Sequence, residues 1–186
     1  DMPYAGDWYL WCLFAFHFDV ACFAEPMVHY RLHQLSMSND LTRAAQFADE
    51  LAVRWRVKRL AEDAHYGPLV RECLHSIVAG YAEHLVAGSF RSGIHPLSAD
   101  EFERLLEQQA AGDREKRSIR AKVYARAADR YYGNRQFAEA LRYYDLALAA
   151  GSWAAKVGTE WILLRMGRAG KFLRDSACKS RSMSTT

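Results

Sequence analysis

The spacing of apolar residues changes character along this chain, and each change predicts an element. From Trp8 to about Phe18 apolar side chains succeed one another with hardly a polar interruption. A helix that is apolar all round has no solvent face and is expected to be buried on several sides. Asp7 stands where that helix would begin, and its carboxylate can cap it by accepting from the first free backbone N–H groups. Asp19 marks a turn. Val20–Ala24 is a short β-prone run, Glu25-Pro26 breaks it, and Met27–His33 has a period of two, so two short strands are predicted. Gln34–Asp40 is polar and turn-like, with Ser38 or Asn39 placed to cap the next helix.

From Leu41 onward the period is helical. One long amphipathic helix is predicted from Leu41 to about His65, and Gly67-Pro68 interrupts it. The next runs from Leu69 to about Ala87. The loop Gly88–Pro96 is the best internal boundary. Ser98-Ala99-Asp100-Glu101 reads as a capping box, in which the Ser98 hydroxyl and the Glu101 side chain satisfy free N–H groups reciprocally. That helix reaches about Ala111 and stops at Gly112-Asp113. Residues 114–168 predict three more helices, broken near Gly133-Asn134 and Gly151-Ser152, where glycine ends a helix readily. Lys171–Thr186 is polar, basic and rich in Ser and Thr, and reads as a frayed or non-native tail. The expected class is mainly α, with a helix and two short strands in residues 1–40, a helical extension over 41–111, a helical region over 112–170 and a tail over 171–186.

Composition narrows the function. The chain is 51% hydrophobic and 25% charged, enough to bury a core. A net charge of +3 from 25 basic and 22 acidic residues is too balanced for a nucleic-acid binder. The charge is uneven, since Asp1, Asp7, Asp19 and Glu25 face Arg31 alone in residues 1–38. Cys12, Cys22, Cys73 and Cys178 form no C-x-x-C pair and read as buried free thiols, which implies a reducing, cytoplasmic setting. Trp8–Ala24 is too short to span a bilayer, which takes about 20 apolar residues. Asp19 would also cost about 2.5–3.5 kcal/mol at a bilayer centre. With no initiator Met at position 1, no signal peptide and a pattern already under way, the chain is expected to be a fragment lacking its N-terminal part.

Two segments carry candidate chemistry. They are Gly6-Asp7-Trp8-Tyr9-Leu10-Trp11 and the run from Ala24-Glu25-Pro26 through Tyr30-Arg31-Leu32-His33 to Ser36-Met37-Ser38. Together they resemble the C-terminal end of the catalytic domain of family-2 inverting glycosyltransferases of the GT-A type. That family typically carries Glu-Asp-Trp-x-Leu-Trp at the start of an aromatic helix and, further on, Pro-Glu-Pro-Leu-Val-x-Tyr-Arg-x-His-x-x-Ser-x-Ser. The resemblance covers roughly residues 1–40 and implies the edge of an α/β domain. Gly6 departs from it, standing where the family has Glu.

Inverting transfer is a direct displacement at the anomeric carbon, so the acceptor hydroxyl must lose its proton as it attacks. One carboxylate within hydrogen-bond reach serves as base. The resemblance assigns that role to Asp7; the plainer reading is a helix cap alone. His33 is placed to help hold a divalent metal, Mn²⁺ or Mg²⁺, or the diphosphate, and is otherwise structural. Arg31 either contacts a phosphate bidentately or pairs with Glu25. Tyr30, Trp8 and Trp11 either stack on a sugar or base or pack in a core. His17 and His29 read as packing or surface residues. A full transferase also needs an Asp-x-Asp motif for metal and nucleotide sugar, and this chain has none, nor any Gly-rich phosphate loop. The chain alone is therefore expected to be inactive. The parent's partners would be a nucleotide sugar and a sugar or lipid-linked acceptor.

Further on, Tyr124, Ala128, Tyr131, Ala140, Tyr144 and Ala147 fall at spacings that resemble one tetratricopeptide repeat, with Gln136–Ala149 as its second helix and Trp153–Met166 opening another. Such units need about three or more copies to be stable alone, so a single one must pack on its neighbours. The alternative function is a non-enzymatic helical module of this type that binds a protein, with exposed Tyr131, Tyr143 or Tyr144 lining its groove. Arg54, Arg56, Lys58 and Arg59 among Val53, Trp55 and Val57 either face a membrane surface, at the inner face near lipid-linked acceptors, or form a solvated side.

Overall fold

A computed structural model describes residues 2, 4–21, 43–90, 96–151 and 155–166. Among these, seven α-helices and no strand are present: α1 (Gly6–His17), α2 (Arg43–Asp63), α3 (Gly67–Phe90), α4 (Ala99–Gln109), α5 (Asp113–Gly133), α6 (Phe137–Ala149) and α7 (Ala155–Arg165). The mainly α class is as expected. Val20 and Ala21 are in neither helix nor strand, and the rest of the two short strands lies outside the described residues.

The breaks between helices reflect local chemistry. α2 ends at Asp63, and His65 takes a left-handed φ of 54° before α3 starts. α3 begins at Gly67, two residues before the expected start, because Pro68 in a first turn gives up an N–H that has no helical partner anyway. The Ser98 hydroxyl accepts from Glu101 N–H at 3.1 Å, the serine half of the expected capping box, and starts α4. The α5–α6 turn places Arg135 at φ 61°, and Gly151 comes after α6 at φ 90°, a backbone that glycine adopts without steric cost.

The chain divides into two compact units, one of residues up to Gly80, the other of Tyr81–Phe90 and the residues from Pro96 on. In the first, α1 lies on α2. The Arg54 guanidinium sits over the Trp8 ring at 5.5 Å and Arg56 over Tyr9 at 5.4 Å. Tyr4 N–H donates to Asp49 Oδ2 at 2.8 Å, which ties the entry of α1 to α2. Leu51, Val53 and Trp55 of α2 and Ile77 of α3 are almost wholly withdrawn from solvent. Each buried side chain of the Leu or Ile class contributes about 1.5–3 kcal/mol. α3 comes close to α2 at Gly80, where a Cβ would stand 3.0 Å from Arg54 Nη1.

The basic run on α2 departs from the solvated face expected of it. Lys58 is only 2% exposed. An unpaired ammonium would be costly there. Its Nζ donates to Glu62 Oε1 at 2.7 Å and lies 5.4 Å from the centroid of the Trp55 ring. Arg54 also reaches Glu50 at 3.3 Å. Three of the four cations are thus engaged inside the unit, and Arg59 is the exposed one.

The second unit is built around a chain of rings. Tyr81 meets Phe102 edge-on at 4.9 Å, Phe102 meets Tyr124 at 5.5 Å, Tyr124 meets Tyr143 at 6.0 Å, and Tyr143 stacks on Tyr131 at 5.2 Å. Ala127, Ala128, Ala140 and Ala147 are 0% exposed, small residues that let α5 and α6 approach closely. Leu97 N–H donates to His84 O at 2.9 Å, joining the entry to α4 with α3.

Candidate functional site

Asp7 sits in the first turn of α1, not at its cap. Ala5, 2% exposed, takes the N-cap position and makes no side-chain capping bond. The expectation that Asp7 is the cap is corrected accordingly. Tyr4 N–H, just ahead of the helix, is held by Asp49, and the chain turns into the helix two residues earlier than expected, at Gly6. Asp7 remains at the positive end of the helix, where a carboxylate is favoured. It is exposed, and its Oδ1 accepts from Trp8 N–H at 2.7 Å. No cation pairs with it among the described residues. A Cβ built on Gly6 would meet nothing within 4 Å, so a side chain can leave the backbone there without a clash.

Beside Asp7, α1 is more exposed than its all-apolar sequence predicts. None of its residues is fully buried. Trp11 is 65% exposed and Phe18 69%, and Phe14 stands between them, edge-on to Trp11 at 5.8 Å and to Phe18 at 6.4 Å. Asp7, Trp11 and Phe14 recur at i, i+4 and i+7, which puts the carboxylate and two rings on one helix face, and Phe18, just past the helix end, adds a third ring against Phe14. Trp8, at 39% exposed, has Arg54 over its ring.

Tyr30, Arg31 and His33 lie outside the described residues, as does Glu25. Among the described residues no group of three His, Cys, Asp or Glu side chains is placed to hold a metal. Cys12 is half-buried and Cys73 buried, and both are free thiols. Burial pushes both above the ordinary thiol value, and for Cys73 the neighbouring Cys12 adds to the shift. Thiols held protonated in this way are poor nucleophiles. Cys22 and Cys178 lie outside the described residues.

The α5–α6 hairpin holds the other candidate residues. Tyr124, Ala128, Tyr131, Ala140, Tyr144 and Ala147 are all buried. Tyr143 is 8% exposed, so none of Tyr131, Tyr143 and Tyr144 lines an open groove. Two carboxylate–phenol pairs, unseen in the sequence, brace the unit. The Tyr144 hydroxyl donates to Asp129 Oδ1 at 2.7 Å. Tyr124 donates to Glu103 Oε1 at 2.7 Å, and Arg120 Nε and Nη2 clamp both oxygens of the same Glu103 at 2.6–2.9 Å. Burial, then the hydrogen bonds to these carboxylates, pushes both phenols well above the ordinary tyrosine value. For Glu103 burial acts upward, but the bonds from Arg120 and Tyr124 outweigh it and hold the carboxyl below its usual value. Charge-assisted bonds around a fixed carboxylate make this a structural brace.

Among the described residues no helix is long and apolar enough to cross a membrane. No family model, no curated protein and no solved structure matches this chain.

Proposed function

We propose that the front of this chain is the C-terminal edge of a family-2 inverting glycosyltransferase catalytic domain, with Asp7 as its general base. The observation that carries the reading is the state of Asp7. It is an exposed carboxylate on the first turn of an aromatic helix, with no cation against it among the described residues. The helix is held on its other side by Asp49, Arg54 and Arg56. A base needs this combination of fixed backbone and unpaired side chain. In the proposed step the acceptor oxygen bonds to the anomeric carbon of a nucleotide sugar as the bond to the diphosphate breaks. The electron pair leaves with the diphosphate, and the acceptor proton passes to Asp7.

Arg31 and His33 are assigned by the same resemblance to the diphosphate and to a divalent cation, Mn²⁺ or Mg²⁺, which would supply charge neutralisation when bound. The donor-binding half, with its Asp-x-Asp motif, is outside this chain, and the segment alone is proposed to be inactive. The parent works in the cytoplasm, at the inner membrane face where lipid-linked acceptors lie, or on a free sugar acceptor. Residues 112–170 are read as one tetratricopeptide-type hairpin used for packing. The groove version of the protein-binding alternative needs exposed tyrosines, and Tyr131, Tyr143 and Tyr144 are buried.

The test of reaction class is the anomeric configuration of the product made by the full-length enzyme from a nucleotide sugar, read by proton NMR. Inversion relative to the donor is expected. Retention would overturn the single-displacement reading.

A further inference from the structure

We draw no further inference here: the strongest candidate, the exposed aromatic stripe of Trp11 and Phe14 on α1 and Phe18 at its end, carries none, because nothing among the described residues shows what covers it.

Discussion

Asp7 and Glu103 are carboxylates with opposite surroundings, and the contrast sorts their roles. Asp7 is exposed and meets no cation among the described residues, whereas Glu103 is gripped by Arg120 and Tyr124. Because the folded state holds Glu103 below its usual value, its contribution to stability is complete above the unfolded glutamate value of about 4.3. It is lost as pH falls through the lower folded value. Urea denaturation should therefore show stability falling in acid, and Glu103→Gln should flatten that dependence; an unchanged slope in the variant would remove Glu103 from the account. The phenols work in the other direction. Tyr124 and Tyr144 titrate above the ordinary value when folded, so their contribution is full below about pH 10 and declines as pH rises beyond it. Tyrosinate absorbance should show these two of the ten tyrosines appearing only together with loss of helical circular dichroism. Complete titration near pH 10 with the helices intact would contradict their burial. Gly6 gives a third check. A Cβ there meets nothing within 4 Å, and replacing Gly6 by Glu removes a flexible residue from a helix start and adds a favourable charge. The variant should gain about 0.5 kcal/mol in denaturant unfolding.

Helices are the scale at which this sequence is most readable. The Ser98 cap and the breaks near Gly133 and Gly151 depend on residues within a few positions of one another, and local pattern contains that information. Ser98→Ala should cost about 1 kcal/mol by denaturation, the ordinary value of a cap. Less legible are contacts made across the fold. The bond from Tyr124 to Glu103 spans 21 residues and that from Tyr144 to Asp129 spans 15, distances at which periodicity marks a buried face but names no partner. A solvated Lys58 fails as an expectation for a different reason: Glu62 and Trp55 stand within one turn of it, but spacing does not show that this side of α2 is buried. The Asp7 cap fails because α1 already begins at Gly6, and its entry is tied to Asp49, far along the chain. At the α5–α6 contact, Ala128→Leu adds volume at a position with no exposure and should destabilise by about 1–3 kcal/mol.

Across the whole chain, acid and base are unequally shared. Residues 1–38 are acidic, with four carboxylates against Arg31, while the remainder is basic. The aromatic helix, whose Asp7 meets no cation among the described residues, belongs to the acidic part. In the second unit Glu103 is braced by Arg120 in a half-buried pair, and Asp145 meets Arg165 and Trp161 at the surface. The proposed function places chemistry at the front, and the braces give support at the back. The motif half of this assignment is visible in Gly6–Trp11, but its exposure is not, because an all-apolar helix predicts burial and only coordinates show which side stays open. The most direct measurement is turnover of the Asp7→Asn full-length enzyme with donor affinity determined alongside. A general base contributes about 10²–10⁴ in rate, so kcat should fall by that factor while donor Kd changes by less than about twofold. Turnover equal to that of the unmodified enzyme would contradict the account.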